Sequence, residues 1–396
     1  MKGLYVAVAV TMAAVAAVFA LFAEIEQRYG LSTNSLGLIA GAAFGASLVT
    51  QLTLSRYADR GYGAVLLRVG MAAGTVGLLW FAAATEVWQF VLARALLGAS
   101  VGMIMPPARR VVIATAQGNA GERLGVLYAF FLAGFVAGPP IAGVLATVGD
   151  VRLPFLVFGV IMAVVSVVST LRLRIPEAPR TAAGAPVVDK RVLRRLIRTR
   201  QVIAALLVIL SFRFSVGVFE PLWAVHLDAL GASTLTVSLS LTLFAAPMLV
   251  VAKQAGRLSD RIGPRFASVV SAFATVPLMA SYGVFESLPV VFALCVPHGL
   301  LEAVQSPGTQ AAMAEAAQAE DTASAQGLGE AGGSLAAMIG ALAAAPIYDA
   351  WGALVAWVLA GLTMAALLTT STLLDRPVRR RPGPTPESVA GVNAAA

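Results

Sequence analysis

The 396-residue sequence has few charged residues and a single cysteine. Asp, Glu, Lys and Arg together make up 12% of the chain and apolar residues 59%, whereas a soluble globular domain carries about 25% charged residues. This composition excludes an ordinary soluble protein. Because Cys295 is alone, no disulfide can form within the chain, and two histidines are too few for a multi-histidine metal site. We therefore expect no metal and no cofactor.

Motifs typical of hydrolytic enzymes are also absent. The chain has no Gly-x-x-x-x-Gly-Lys-Ser/Thr loop, no His-Glu-x-x-His and no Gly-x-Ser-x-Gly. Its formal net charge of +8 comes without a basic face interleaved with aromatic residues, so nucleic acid is not an expected partner. We do not expect an enzyme.

The sequence does contain apolar blocks of about 20 residues, each long enough for a helix to cross a hydrocarbon layer about 30 Å thick. These blocks predict an all-α integral membrane protein with twelve transmembrane helices. We place the spans at residues 4–22, 34–54, 64–84, 87–108, 124–146, 153–171, 201–223, 233–252, 266–285, 288–311, 326–345 and 352–373.

Lysine and arginine are distributed unevenly over the loops between these spans. With both termini in the cytoplasm, 24 of the 28 Lys and Arg residues lie on the cytoplasmic side. Only Arg28 and Arg152 lie on the opposite side, and Arg94 and Arg213 fall inside spans. Cytoplasmic loops carry the excess of positive residues in membrane proteins. We therefore predict a multi-pass protein of the cytoplasmic membrane with both termini in the cytoplasm.

The two halves of the sequence resemble each other at a constant offset of 201 residues. Gly30-Leu-Ser-Thr33 matches Gly231-Ala-Ser-Thr234, and Gly98 matches Gly299. The repeat predicts two pseudo-symmetric six-helix bundles. The predicted divisions are an N-terminal bundle at 1–171, a basic cytoplasmic linker at 172–200, a C-terminal bundle at 201–374 and a disordered cytoplasmic tail at 375–396.

A loop motif follows the eighth span. The segment Gly256-Arg-Leu-Ser-Asp260-Arg261-Ile-Gly263-Pro-Arg265 resembles the loop signature of the major facilitator superfamily, and its first-half counterpart begins with Ser55 instead of glycine. The resemblance implies the twelve-helix fold of that family and a latch that helps to hold the cytoplasmic side closed. The residues that it assigns to the latch are Asp59, Arg60, Asp260, Arg261, Gly263 and Arg265.

The fifth span reads GVLYAFFLAGFVAGPPIAG and resembles the helix-5 signature of exporters in the same superfamily. Positions 134, 138 and 142 share one helical face, and this nearly bare face lets another helix approach backbone to backbone. Ala142 stands where the family pattern usually has glycine. The resemblance implies export; the alternative is ordinary packing of small residues between helices. The residues that carry it are Gly125, Gly134, Gly138, Pro139 and Gly143.

Two arginines lie inside predicted spans, where a charge costs about 2.5–3.5 kcal/mol and therefore needs water or a partner. Arg94 and Gly98 resemble the helix-4 signature of the superfamily; the alternative is a structural arginine that bonds backbone carbonyls. Arg213 stands between Phe212 and Phe214, which suit a flat or apolar ligand and suit lipid contact equally well. We assign Arg94, Phe212 and Arg213 to the substrate cavity.

His298 and Glu302 lie four residues apart on one face of the tenth span, about 15 and 21 Å from its start. A buried carboxyl near a cation is balanced between its neutral and charged forms, so it can load and release one proton as access alternates. We predict that Glu302, assisted by His298 and Arg94, carries the coupling proton; the alternative is a polar pair that only joins two helices. Glu302 and Gln305 are also assigned to the cavity. The reserve acids are Glu220 and Glu330.

Together these features predict a secondary active transporter that exports small amphiphilic molecules, drugs or metabolites, by proton antiport with alternating access. The expected partners are the substrate, a proton and the lipid bilayer, and we expect a functional monomer. One alternative is an importer or uniporter of a sugar or organic acid on the same fold. Another is a membrane protein without transport activity.

Overall fold

The computed structural model describes residues 2–57, 61–115, 120–172, 190–318 and 321–375, and every regular element in these ranges is a helix. The helices are α1 (Lys2–Ala20), α2 (Phe22–Tyr29), α3 (Thr33–Tyr57), α4 (Gly63–Ala83), α5 (Val87–Ala114), α6 (Ala120–Val148), α7 (Leu153–Arg172), α8 (Lys190–Leu196), α9 (Arg200–Ala229), α10 (Thr234–Ile262), α11 (Pro264–Val284), α12 (Leu288–Ala316) and α13 (Thr322–Leu374).

Eleven of these helices are long and apolar enough to cross a membrane, within the ranges just given. The last of them, α13, has 53 residues and contains both of the final predicted spans, because Gly352 leaves the helical conformation at φ 78° and ψ 177°. A positive φ of this kind favours glycine, since a β-carbon would be strained there. The prediction of twelve membrane-spanning segments is therefore confirmed, with α13 supplying two.

The turns before α3 and α10 repeat the same design. Gly30 and Gly231 adopt positive φ angles of 61° and 85°, and a serine follows two positions later. The Ser32 and Ser233 hydroxyls each accept the backbone N–H three residues ahead, at 3.3 Å. A hydroxyl at this position satisfies one of the free amides of a helix start. The Gly-x-Ser-Thr motif therefore forms the same cap in both halves.

The internal repeat also appears in the way the helices pack. Gly98 of α5 lies against the backbone of Ala43 in α3, and Gly299 of α12 lies against the backbone of Phe244 in α10. The two partners, like the two glycines, are 201 residues apart. A β-carbon at either glycine would collide with the facing carbonyl. Each half thus repeats one close helix contact, as a pseudo-two-fold fold requires.

The two halves meet along two helix pairs, α3 with α13 and α6 with α10. At the first pair, Gly37 and Gly41 of α3 approach Ala345 and Leu342 of α13. At the second, the Thr242 hydroxyl donates to the Val136 carbonyl at 3.0 Å. Most of the polar residues described below lie on α5, α9, α12 and α13. We call the two membrane faces the α2 face and the α8 face, after the short helix at each.

The short helix α8 packs on the C-terminal half. Leu196 is buried with Val202 of α9 and Met313 of α12, and the Arg195 Nη2 lies 2.5 Å from the Asp321 Oδ2 at the start of α13. The predictions for Asp59 and Arg60, for most of the linker and for the tail beyond Asp375 lie outside the described residues.

Candidate functional site

Arg94 of α5 and Glu220 of α9 form an ion pair between the two halves. The Arg94 Nη2 contacts the Glu220 Oε1, and the two side chains are only 1% and 8% exposed. The predicted need of Arg94 for water or a partner is thus met by a carboxylate from the other half. Its Nε and Nη1 have no hydrogen-bond partner among the described residues, so the structure does not show the alternative of an arginine held by backbone carbonyls.

His298 and Glu302 of α12 form a second buried pair. The His298 Nε2 lies 3.5 Å from the Glu302 Oε1, and the side chains are 0% and 8% exposed. The other ring nitrogen, Nδ1, lies 3.0 Å from the Tyr282 hydroxyl of α11. When that hydroxyl donates to Nδ1, the ring carries its proton on Nε2, the nitrogen that faces Glu302. Tyr282 therefore orients the histidine toward the acid.

Aromatic rings enclose His298 and connect the two pairs. Phe219 and Phe244 lie with their ring centroids 5.4 and 5.1 Å from the imidazole. Phe219 also contacts the ring of Trp357 at 5.0 Å and is the sequence neighbour of Glu220. Arg94, Glu220, His298 and Glu302 are all buried, so both pairs lie in a low-dielectric environment where electrostatic interactions are strong.

A polar side chain without a described partner lies one turn further along α12. Gln305 is 0% exposed, and neither its amide nitrogen nor its amide oxygen has a hydrogen-bond partner among the described residues. Such a group is costly to bury unless it is satisfied at some stage. Next to it, the Ser306 hydroxyl lies 3.3 Å from the Tyr128 hydroxyl of α6 and bridges the halves.

A third charged group lies nearer the α8 face, and we call it the Glu330 cluster: Arg109, Arg213, Gln310 and Glu330. The Glu330 Oε1 accepts from the Arg109 Nη1 at 3.0 Å and from the Gln310 amide at 3.4 Å. Arg109 and Arg213 both act electrostatically on this carboxylate. The side chains of Arg109 and Glu330 are 47% and 29% exposed, so solvent reaches the cluster.

Arg213 is half-buried and lies over Gly333 of α13. A β-carbon at Gly333 would lie 2.8 Å from the Arg213 Cγ and 3.3 Å from its Nε, so the glycine provides the room for this side chain. Among the described residues, no hydrogen bond or ion pair joins Arg213 to Arg94 or Glu302. The predicted cavity residues thus divide between two places, with Arg94, Glu302 and Gln305 at the centre and Arg213 in the Glu330 cluster.

At the α2 face, hydrogen bonds join the two halves, and a carboxylate accepts each of them. The Gln27 amide donates to Asp228 at 2.7 Å, the Asn34 backbone N–H donates to Asp349 at 3.3 Å, and the Thr234 hydroxyl donates to Glu24. These three contacts hold the ends of the halves together at this face.

Glu26 lies within the same interface, on α2. Burial raises the pKa of the Glu26 carboxyl, and the nearby Asp349 and Asp228 carboxylates raise it further. The Thr33 hydroxyl, which donates to Glu26 at 2.8 Å, acts in the opposite direction and only partly offsets these effects. The net effect raises the pKa of Glu26 above its ordinary value.

The predicted latch residues of the second half lie at the end of α10 and the start of α11. Gly263 adopts a φ of 92°, and Pro264 begins α11 directly after it, a favourable first position for proline. The Arg265 Nε pairs with Asp375 at the end of α13. Asp260 and Arg261 are exposed, and no ion pair joins either of them to another described side chain.

The glycine stripe of the fifth predicted span lies in α6 and faces α1. Gly134 and Gly138 rest against the backbones of Ala9 and Ala13, where a β-carbon would collide. Gly143 lies against Ser238 of α10. Gly125 has open space around it, with nothing within 4 Å of an added β-carbon. The glycines of this stripe therefore allow α6 to pack closely against α1 and α10. Gly125 takes part in neither contact.

Comparison with known proteins decides the family. A family model described as Major Facilitator Superfamily matches residues 4–228 and 205–395. The chain belongs to this superfamily. It is 27% identical over 282 residues to the multidrug resistance protein MdtG of Enterobacter lignolyticus (strain SCF1), an alignment that covers 68% of this chain and 66% of that protein. It is 26% identical over 205 residues to multidrug resistance protein 1 of Bacillus subtilis (strain 168), covering 52% of each chain.

Two of the alignments with MdtG proteins span just under two thirds of the relative, 66% for the protein of Enterobacter lignolyticus (strain SCF1) and 64% for that of Klebsiella pneumoniae (strain 342). Solved structures match over more of the chain. A POT family transporter in complex with 5-aminolevulinic acid has a TM-score of 0.76 at 12% identity, covering 95% of this chain and 96% of that one. An inward-facing, occupied bacterial homolog of the human lysosomal transporter Spinster has a TM-score of 0.72 at 14% identity, with 94% of each chain covered.

These findings confirm the predicted fold and class. The chain is a multi-pass membrane protein with the major facilitator fold. Within the described ranges, no group of three or more His, Cys, Asp or Glu side chains could hold a metal ion. Sequence reasoning held Glu220 and Glu330 only in reserve, although an acid within an apolar span is itself a signal. It missed Tyr282 and Tyr128, which look like ordinary aromatic residues in their spans.

Proposed function

We propose that this transporter exports small amphiphilic molecules in exchange for protons. The observation that carries the proposal is the buried His298–Glu302 pair, with side chains 0% and 8% exposed near the middle of a membrane-spanning helix. An acid at this depth is costly unless it is paired or protonated, and such acids mark ion and substrate pathways. Its partner is a histidine, whose own ordinary pKa lies near neutrality. The pair therefore offers two side chains that could hold the coupling proton.

The proposed orientation places the α8 face in the cytoplasm, with both termini there, in the cytoplasmic membrane. The excess of Lys and Arg in the loops of that face supports it, since positive residues are retained on the cytoplasmic side. The solvent-exposed Glu330 cluster then faces the cytoplasm, whereas the bonds from Gln27, Asn34 and Thr234 close the outer side. We infer that this arrangement is open to substrate from the cytoplasm.

Alternating access would follow from rocking of two bodies, which we take to be residues 1–171 and 201–374 of a single chain acting as a monomer. In this scheme the Arg94–Glu220 pair is the central contact between them. Protonation of Glu302 in one state and its release in the other couples the motion to the proton gradient. One charge that crosses 100 mV releases about 2.3 kcal/mol, enough for a concentration ratio above tenfold.

Amphiphilic substrates suit the described surfaces. Tyr128 and Phe131 of α6 are stacked with their centroids 5.7 Å apart, and Tyr128 is 39% exposed. Phe212 of α9 is half-buried beside Arg213. Aromatic surface next to a few charged groups is typical of sites for small organic ligands. The relatives named as multidrug resistance proteins support the same class of substrate.

Everted membrane vesicles that contain the protein test this proposal. An acid interior should drive accumulation of at least one member of a panel of dyes and antibiotics, and an uncoupler should abolish that accumulation. Vesicles without the protein are the control. Accumulation in right-side-out vesicles driven by an acid exterior would instead support import, and flux without any response to the gradient would support a uniporter.

A further inference from the structure

The Glu330 cluster points to one chemical class of ligand. We propose that Arg213 binds an anionic group, such as a carboxylate or sulfonate, of an amphiphilic molecule whose apolar body lies on the Tyr128–Phe131 pair. The inference rests on the proposed function in so far as this molecule is the transported substrate. Four observations carry it: the balance of charge, the free guanidinium, access from the α8 face and the adjacent aromatic surface.

The charge of the cluster is positive. Arginine stays protonated in proteins, so Arg109 and Arg213 bring two positive charges to the single carboxylate of Glu330. The next acid toward the membrane centre, Glu302, is buried and faces His298. The cluster therefore carries an excess of positive charge, which attracts an anion. A cationic ligand would be repelled by two arginines.

The hydrogen bonds show which arginine is available. The Glu330 Oε1 already accepts from Arg109 and from Gln310, so these two side chains hold the carboxylate. Within the described ranges, Arg213 makes no hydrogen bond or ion pair of its own. Gly333 leaves space for its stem, so the planar guanidinium can present two parallel N–H donors to a carboxylate.

The Glu330 cluster is accessible to solvent, and an aromatic surface lies beside it. Arg109 is 47% exposed, so a ligand can enter from the α8 face. Tyr128 lies close enough to Arg109 to interact with it electrostatically and stacks with Phe131. The Tyr128 hydroxyl reaches Ser306 of the other half, which places this aromatic surface at the boundary between the halves. An anionic head and an apolar body therefore find complementary groups at neighbouring positions.

Binding of three matched dansyl probes to the purified protein in detergent tests the inference. Dansylglycine carries a carboxylate, its methyl ester is neutral and dansylcadaverine is cationic, while the fluorescent body is the same. The wild-type protein should bind dansylglycine roughly tenfold or more tightly than the ester, because the charge-assisted hydrogen bonds are lost in the ester. Arg213→Gln should reduce this ratio to near one without weakening the binding of the ester, and Arg213→Lys should retain part of it.

Two further variants complete the test. Glu330→Gln removes the competing carboxylate and should tighten the binding of dansylglycine but not of the ester. Arg257→Gln changes an exposed arginine near the end of α10 and should leave all three affinities unchanged. Equal affinity for the three probes in the wild-type protein, or a preference for dansylglycine that survives Arg213→Gln, would overturn the inference.

The binding measurement uses no gradient and no membrane, so it separates this inference from the proposed function. Selective binding of dansylglycine without gradient-driven flux in vesicles would count against proton-coupled export but not against the anion site. Gradient-driven flux of cationic probes, with no preference for dansylglycine in the binding measurement, would count against the anion site but not against proton-coupled export. The ester affinity of each variant, together with a single symmetric peak in size-exclusion chromatography, shows that the variant is folded.

Discussion

The guanidinium of Arg94 and the carboxylate of Glu220 meet in the interior of the protein, although 126 residues separate them in the sequence. Arg94 comes from α5 of the first half and Glu220 from α9 of the second, and both side chains are almost fully buried. Two opposite charges in such an environment stabilise each other, whereas either one alone would be buried without compensation. The pair therefore ties the two halves together at the membrane centre.

We expect loss of one member of this pair to be strongly destabilising. Glu220→Gln leaves the Arg94 charge buried and unpaired, and breaking a buried ion pair in this way costs about 3–5 kcal/mol. The apparent melting temperature in detergent should fall clearly for Glu220→Gln and for Arg94→Gln. The swapped double variant R94E/E220R should recover part of the loss. Single variants as stable as the wild type would show that the pair does not hold the halves together.

Glu302 is predicted to control coupling to the proton gradient. Glu302→Gln cannot release a proton, so gradient-driven flux should fall to the level of vesicles without protein, while exchange of substrate at equal pH on both sides continues. Vesicle assays of both kinds of flux measure the effect. Glu315→Gln, an exposed acid at the end of the same helix, is the matched control. A Glu302→Gln variant with wild-type pH dependence would remove Glu302 from the coupling mechanism.

The contact between α1 and α6 depends on the absence of a side chain at Gly138. Gly138→Ala places a methyl group against the backbone of Ala13, so the helices must separate, and overpacking of this kind costs about 1–3 kcal/mol. Gly125→Ala in the same helix meets open space and should leave stability unchanged or raise it by up to about 1 kcal/mol, because alanine favours a helix more than glycine does. Thermal unfolding of the two variants measures the contrast. Equal melting temperatures would mean that α1 does not stay in close contact with the stripe.

Glu26 should make stability depend on pH in a specific direction. Its pKa is raised from the ordinary value of 4.5, so between 4.5 and the raised pKa the folded protein binds more protons at this site than the unfolded chain. The Glu26 contribution to the free energy of unfolding is therefore greatest below pH 4.5 and is lost as the pH rises through the raised pKa.

The comparison of wild type with Glu26→Gln isolates this contribution. The difference in melting temperature between the two proteins should change across this window, with the wild type losing stability relative to the variant as the pH rises. Glu286→Gln, which changes an exposed acid in the loop between α11 and α12 on the same face, is the matched control. A constant difference between wild type and Glu26→Gln would exclude the effect.

Some features of the site follow from the sequence because they lie on one helix. His298 and Glu302 are four residues apart, and the helical repeat of 3.6 residues places them on one face whatever surrounds the helix. The caps at Ser32 and Ser233 and the repeat of 201 residues are local or internal patterns of the same kind. These could be predicted from residue types and spacing alone.

Other features depend on how separate helices are placed beside one another. The partner of Arg94, the pairing of Arg109 with Glu330 across 221 residues and the contact of Tyr282 with His298 all join different helices. Apolar periodicity says that a helix crosses the membrane, but it does not say which neighbour each face meets. For the same reason, Arg213 was grouped with Arg94 by its depth, whereas the structure places it in the Glu330 cluster.

The amino-acid sequence by itself determined the membrane environment, the number of spans and the two-fold repeat, because hydrophobic length, charge placement and internal similarity are properties of the chain. The tertiary structure alone decided which charges neutralise each other and where Arg213 lies relative to Glu330. Those outcomes depend on distances of a few ångströms between atoms of different helices, and such distances are set only when all the helices pack together.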